Sequence, residues 1–317
     1  MTAVTILAGG RSFEREISLR SGHRITAALR DRGYDAHVMD PGDPDFVGRL
    51  SAARPSACYV ALHGRDGEDG TVQRLLEALE LPYTGSRPPA CRVASDKIAM
   101  KEALDAAGVP TPAWGAVQAS ALRDLAAGPT IPRIVRRVGL PLVVKPATGG
   151  SAMGITSVDR EEDVSRAVMN ALAFADAAIL ERRVDGIEVA AGFLEAADVP
   201  LPLVEVVPRS GLFDFAARYT PGATEYFAPA RQAPDAAAAC GEAAARAFST
   251  LGLRDIGRAD LLADRAGTPW VIDVNVSPGM TDTSLVPMAA AVVGIGFDEL
   301  CERVLRRALD RAGTLTP

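Results

Sequence analysis

The chain has 317 residues, 48% of them hydrophobic and 23% charged, which supplies enough apolar material for two or three domains and argues against a disordered chain. Its formal net charge of −6 lacks the basic surplus typical of duplex binding, so no nucleic-acid partner is expected. No apolar run approaches the ~20 residues of a membrane span, and Met1 to Ile6 carry no basic leader, so neither a membrane partner nor a signal peptide is expected.

Val4 to Ala8 reads as a buried strand that runs into a tight turn at Gly9-Gly10. Helical spacing follows through Ile17, Leu19, Ile25 and Leu29 and stops near Gly33, before strand-like Ala36–Met39 and Ala57–Leu62. This alternation predicts an α/β fold opening with a mostly parallel sheet, whose ligands gather beyond the strand ends, at Gly9-Gly10 and His63-Gly64. Ser86-Arg87-Pro88-Pro89 is expected to interrupt any regular element and mark a boundary. Ser95 or Asp96 can cap a helix running to Gly108. Strands at Leu140–Lys145 and Ile155–Val158, a helix near Glu161–Phe174 and a strand at Ala178–Glu181 complete a compact module. Strands then dominate, at Ile187–Leu194 and Val204–Val207. A helix around Asp235–Leu251, two more strands and a helix from Phe297 to Arg311 close the chain. Cys58, Cys91, Cys240 and Cys301 form no CxxC pair, which supports neither a zinc site nor a disulfide framework and fits reduced thiols in a cytoplasm.

Three stretches can carry chemistry. Lys145-Pro146 leads into the small-residue loop Ala147-Thr148-Gly149-Gly150-Ser151-Ala152-Met153-Gly154, where backbone N–H groups can approach an anion; it lacks the GK[ST] of a Walker loop. Arg258-Ala259-Asp260 and Asp273-Val274-Asn275 lie on two strands joined by a turn. Alternation puts Arg258 with Asp260 and Asp273 with Asn275 on shared faces, with Asp260 opposite Ile272 or Asp273. Oxygen-only ligands suit Mg²⁺ rather than zinc. Asn275-Val276-Ser277-Pro278-Gly279-Met280-Thr281 then leaves the second strand as a polar loop placed to grip a substrate.

In order and spacing these residues resemble the D-alanine–D-alanine ligases of the ATP-grasp superfamily. The likeness spans the chain. It runs through Gly9-Gly10-Arg11-Ser12-Phe13-Glu14, Leu62-His63-Gly64-Arg65-Asp66-Gly67-Glu68-Asp69-Gly70, Leu81-Pro82-Tyr83-Thr84-Gly85-Ser86, Asp96-Lys97, Lys145-Pro146, Tyr226-Phe227-Ala228-Pro229-Ala230 and Asn275 to Thr281. The resemblance implies a three-domain ATP-grasp fold. Its parts are an N-terminal open parallel-sheet domain (1–88), a central ATP-grasp domain (89–184) and a C-terminal ATP-grasp domain (185–317) with the metal site and a lid at about 207–230. It implies a cytoplasmic homodimer that joins two D-alanines through an acyl phosphate, for peptidoglycan.

Carried over position by position, Lys97, Lys145 and Arg218 match residues that hold ATP phosphates, with Gly150 in the loop that covers them. Glu181 and Val184 match the adenine hinge, and Glu188 the ribose contact. Asp260, Asp273 and Asn275 match the ligands of two Mg²⁺ or Mn²⁺ ions, and Arg258 the residue that stabilises the acyl phosphate. Glu14 matches the anchor of the first ammonium group, with Ser151 and Tyr219 as its hydrogen-bonded partners and His63 in the same pocket. Ser284 and Leu285 match contacts to the second substrate. The sequence departs from the family's usual residues at Arg218 (lysine), Asp273 (glutamate) and Ala152 (serine). A ligase of specialised metabolism joining other amino acids, and an ATP-binding module without turnover, are the alternative readings.

Overall fold

The computed structural model describes residues 1–209, 211, 213, 217, 220 and 222–313. Strands β1 (Ala3–Leu7), β2 (Asp35–Met39) and β3 (Ala57–Val60) form a parallel sheet in the order β2-β1-β3. All four residues of β3 are buried, the pattern of a sheet covered on both faces. Helix α1 (Arg15–Asp31) lies on one face through Ile25, Ala28 and Leu29. A Cβ at Gly22 would stand 2.3 Å from that of Ala8, so glycine is what lets α1 approach the strand end. Helices α2 (Phe46–Ala53) and α3 (Thr71–Ala78) cover the other face, with Phe46, Leu50, Val72 and Leu76 against Leu7, Cys58 and Val60.

Pro88-Pro89, expected to interrupt regular structure, instead opens α4 (Pro88–Ser95). The first helical turn has N–H groups with no intrahelical acceptor, so a proline there loses nothing and its fixed φ favours the helix. Helix α5 (Lys97–Ala106) begins one residue later, because the Asp96 carboxylate accepts the N–H groups of Ile98 and Ala99 (2.9 and 3.4 Å).

The second sheet is antiparallel. It comprises β4 (Trp114–Gln118), β5 (Leu142–Pro146), β6 (Thr156–Val158) and β7 (Ala177–Arg182) in the order β4-β7-β5-β6. Helix α6 (Ala119–Asp124) follows β4, while α7 (Thr130–Val138) and α8 (Glu161–Leu172) bury Val135, Val138, Val164 and Val168 against Leu142, Val144 and Leu180.

The third sheet, also antiparallel, comprises β8 (Gly186–Leu194), β9 (Val204–Pro208), β10 (Thr224–Phe227), β11 (Ile256–Asp264) and β12 (Pro269–Asn275) in the order β10-β9-β8-β11-β12. Helix α9 (Pro234–Leu251) lays a stripe of Cys240, Ala243, Ala244, Ala247, Phe248 and Leu251 on one face, against Val189, Ala191, Ala259, Leu261 and Val274. On the opposite face Ala190, Leu194 and Val204 join the core of the first sheet, together with α10 (Leu285–Val292) and α11 (Phe297–Gly313). Helix α11 packs on α1 and β3, so the last element of the chain seals the first sheet. All four cysteines are buried and free. Among the described residues no helix is long and apolar enough to cross a membrane.

One buried ion pair ties these parts together. Asp255 is fully buried at the start of β11. Its carboxylate accepts the Gly85 N–H (2.8 Å) and both terminal nitrogens of Arg311 from α11 (2.7 Å each). Arg311 also donates to the Tyr83 carbonyl at 2.9 Å. Arg311→Met leaves a buried carboxylate without its counter-charge, and should lower unfolding free energy by about 3–5 kcal/mol. Urea titration checks this; a loss below about 1 kcal/mol would mean that the pair is not needed to hold α11.

Candidate active site

The β11–β12 ladder concentrates charge on one sheet face. Asp260 pairs with Asp273 and Arg258 with Asn275, which selects Asp273 from the two partners the spacing allows. Arg258 donates to both oxygens of Asp260 (2.7 and 2.9 Å). Burial opposes the guanidinium charge, but Asp260 outweighs it and raises the Arg258 pKa above its ordinary value. The Asn275 side-chain oxygen accepts the Ser277 N–H at 2.7 Å, turning the chain into the loop that follows. Glu188 stands on β8, opposite Leu262 and Val206, on the same face.

Helix α5 and the second sheet supply cations to this face. The Asp96 cap starts α5 so that the Lys97 N–H meets the Ala147 carbonyl at 2.8 Å. Lys97 Nζ then lies 3.3 Å from both the Gly149 carbonyl and Asp273 Oδ2. Lys145 at the end of β5 donates to Glu181 Oε1 (3.1 Å) and to the Ile272 carbonyl (3.4 Å). That carbonyl is exposed to Lys145 because the β11–β12 register shifts after Asp260, passing over Ile272. Glu181 is also paired with Lys101 at 2.5 Å. Burial disfavours the Glu181 carboxylate, but the Lys101 and Lys145 ammoniums prevail and hold its pKa below the ordinary value.

Glu14 comes from the turn before α1. Its Oε1 accepts the Ser151 hydroxyl at 2.5 Å. A Cβ at Gly64 or at Gly150 would stand 2.6 or 2.7 Å from Glu14 Oε2, so the two glycines form a cradle that leaves room for the carboxylate where it stands. Ser151 and Ala152 hold φ of 53° and 57°, backbone that L side chains rarely adopt, in the loop between β5 and β6.

His63 is buried beside this cradle. Its Nδ1 lies 3.0 Å from the Ser277 carbonyl, which only accepts, so Nδ1 carries the proton and Nε2 accepts the Ser21 hydroxyl at 3.2 Å. Burial pushes the imidazole pKa down, which agrees with this neutral tautomer. The Ser277 hydroxyl donates to the Leu62 carbonyl and the Met280 N–H to Ser21 Oγ, so the loop after β12 is fastened to α1 and to the segment after β3 (2.9 and 3.2 Å).

Other expected site residues lie apart from these contacts. Ser284 stands just before α10, where its hydroxyl oxygen accepts the Thr281 N–H rather than a helix N–H, and Leu285 is buried in the core shared by the first and third sheets. Val184 is half-buried in the segment between β7 and β8. Arg218 and Tyr219 lie outside the described residues.

A family model described as "D-ala D-ala ligase C-terminus" matches residues 103–306, and one described as "D-ala D-ala ligase N-terminus" matches residues 45–86. The chain belongs to the D-alanine–D-alanine ligase family. It is 40% identical over 311 residues to the D-alanine–D-alanine ligase of Pelotomaculum thermopropionicum, with 98% of each chain covered. Its fold matches the crystal structure of the Bacillus anthracis D-alanine–D-alanine ligase with a TM-score of 0.84 at 25% identity, covering 99% of both chains. The ATP complex of that enzyme matches with a TM-score of 0.82 at 24% identity and the same coverage. The ATP-grasp fold and the ATP-dependent ligase class expected from the motifs are those of this family.

Two charged residues at the site carried no expected role. Lys101 sits one turn beyond Lys97 on α5, and that four-residue spacing is the signal that could have found it. Glu68 lies within the quoted His63-to-Gly70 motif, 3.9 Å from His63 Nδ1. Among the described residues no group of three His, Cys, Asp or Glu side chains is arranged to hold a metal ion. The donor set of Asp260, Asp273 and Asn275 is two carboxylates and an amide on one face, and its all-oxygen chemistry fits a hard divalent cation.

Burial, and then the negative charge of Glu14, push the Glu68 carboxyl up to about 8 from the ordinary 4.5. Between those values the folded state keeps a proton that the unfolded chain has released, so this group costs stability as pH rises. The Tm of the ligand-free protein should therefore fall relative to the Glu68→Gln variant as pH climbs through that window. Parallel Tm–pH curves would show that Glu68 ionises as it does in water.

Proposed function

We propose that the site carries out its family's reaction, the ATP-dependent joining of two D-alanines to D-alanyl-D-alanine for peptidoglycan synthesis. The supporting observation is the meeting of Lys97 from α5 and Lys145 from the second sheet with the Arg258–Asp260–Asp273–Asn275 ladder of the third. Glu14 and Arg258 both act on the Glu68 and His63 side chains, so the ammonium anchor and the buried guanidinium flank one region.

In the first step a carboxylate oxygen of D-alanine attacks the γ-phosphorus of ATP, and the bridging oxygen leaves with ADP. In the second, the amine of another D-alanine attacks the acyl-phosphate carbonyl, phosphate leaves, and the nitrogen loses a proton. Glu14 holds the ammonium of the first substrate, oriented by the Ser151 hydroxyl, with Tyr219 closing from the lid and His63 lining the pocket. Lys97, Lys145 and Arg218 neutralise phosphate oxygens, and the Gly150 loop covers them. Glu181 and Val184 receive the adenine, and Glu188 the ribose. Arg258, fixed by Asp260, faces the charge that develops on the acyl phosphate. Ser284 and Leu285 border the second substrate. Asp260, Asp273 and Asn275 would hold two Mg²⁺ or Mn²⁺ ions, which when bound supply further neutralisation at the phosphoryl group. The order of the three sheets along the chain supports a division near 88 and 184, and the cytoplasmic homodimer rests on the family resemblance.

Mass spectrometry of the product from ATP, Mg²⁺ and D-alanine tests the substrates. D-Alanyl-D-alanine is expected, with D-lactate poor as the second substrate near neutral pH and L-alanine unused. Glu14→Gln should raise the KM for the first D-alanine far more than that for ATP, because only the ammonium loses its counter-charge. Ligation of another pair instead would overturn the substrate assignment and leave the ATP chemistry standing.

Asp260→Asn tests the electrostatic core, since it halves the hold on Arg258 and removes a ligand charge. Turnover should fall at least ~100-fold. Near-normal turnover at moderate Mg²⁺ would remove Asp260 from the catalytic machinery.

A further inference from the structure

Lys101 is the largest fully buried side chain in the protein's described residues, with no exposed surface. An ammonium in that position is costly unless every proton has a partner. Its Nζ contacts Glu181 Oε2 and the Thr111 hydroxyl oxygen, each at 2.5 Å. Thr111 passes its own proton to the Val271 carbonyl at 2.8 Å. On the other side of Glu181, Lys145 reaches the Ile272 carbonyl. The result is a closed circuit that runs from Val271 through Thr111, Lys101, Glu181 and Lys145 back to Ile272. It joins α5, β7 and β5 to two consecutive carbonyls of β12, one residue before Asp273. Lys101 has no exposed surface with which to reach a phosphate, unlike Lys145.

We propose that Lys101 is a positioning residue that fixes the Glu181 carboxylate as an ionised, acceptor-only group and thereby selects a 6-amino purine nucleotide over a 6-oxo one. The inference rests on the reading of Glu181 as part of the adenine site. A carboxylate offers only lone pairs. It accepts from a 6-amino group, whereas a 6-oxo group meets it lone pair to lone pair and leaves both unpaired, the arrangement that discriminates most strongly in a buried site. Burial lowers the Lys101 pKa, and the adjacent Glu181 charge counters it. Without Lys101, Glu181 keeps one cation of two and is free to rotate toward Lys145 or to take up a proton, and a protonated carboxyl can donate to a 6-oxo group.

Steady-state kinetics with ATP and GTP test this in wild type, Lys101→Met and Lys101→Arg. Lys101→Met should raise the KM for ATP about tenfold, keep the KM for D-alanine within about twofold, and narrow the ATP-over-GTP ratio of kcat/KM by at least about fivefold. Lys101→Arg, which keeps the charge, should recover most of the discrimination. Should Lys101→Met not fold, Thr111→Val removes one partner of Lys101 without altering charge and should shift the same ratio in the same direction. An unchanged ratio, with both KM values moving together or kcat alone falling, would reduce Lys101 to a structural residue and overturn the proposal. Glu181→Gln separates the two levels of the argument. If it alters the ratio and the Lys101 variants do not, the proposal fails alone; if it leaves the ratio unchanged, the adenine-site reading fails with it.

Discussion

Charge buried between two antiparallel sheets must be paired, and most of the site follows from how this chain pairs it. The β11–β12 ladder sets two carboxylates, a guanidinium and an amide on adjacent positions of one face, while α9 covers the other face with aliphatic and aromatic carbon. Within the ladder Asp260 takes its counter-charge from Arg258 on the same strand, while Asp273, partly exposed, is met by a cation from elsewhere. Lys97 of α5 reaches Asp273, and Lys145 of the second sheet reaches the carbonyl of Ile272. These contacts tie β5 and α5 to β12, so the cations are already held in place before anything binds there.

The first sheet approaches the same region from a third direction. The parallel sheet brings Gly9-Gly10 and His63-Gly64 to the same edge, and Ser18 of α1 bridges them, accepting the Gly9 N–H and donating to the Ala61 carbonyl (2.8 Å each). Glu14 stands above that edge in its two-glycine cradle, with Ser151 reaching it from the second sheet. The loop after β12 is locked onto His63 and Ser21. Residues from all three sheets thus converge through hydrogen bonds, whose short range and strict geometry fix distances better than apolar packing does.

Much of this was legible in the chain before any coordinates. The β1–α1–β2 alternation and the shared face of Arg258 and Asp260 both depend on local periodicity, which a linear sequence displays. The glycine-rich hairpin between β5 and β6 was legible for the same reason. Pro88-Pro89 misled because proline is read as a breaker when its position in a helix is unknown, and at the first turn it is compatible with one. Short elements such as α2, α3 and β4 span too few residues to show a period.

The sequence by itself determined the inventory of the site: which acids, lysines and glycines exist, their order, and the faces they share within one strand or helix. It left Asp260 opposite either Ile272 or Asp273, and only the ladder with its register shift chose Asp273 and turned the Ile272 carbonyl toward Lys145. It showed Lys101 as one lysine on a helix, and only the fold removed that ammonium from water and set it between Glu181 and Thr111. The reason is physical. Periodicity is a property of consecutive residues, whereas the cost of burying a charge depends on what the rest of the chain places around it.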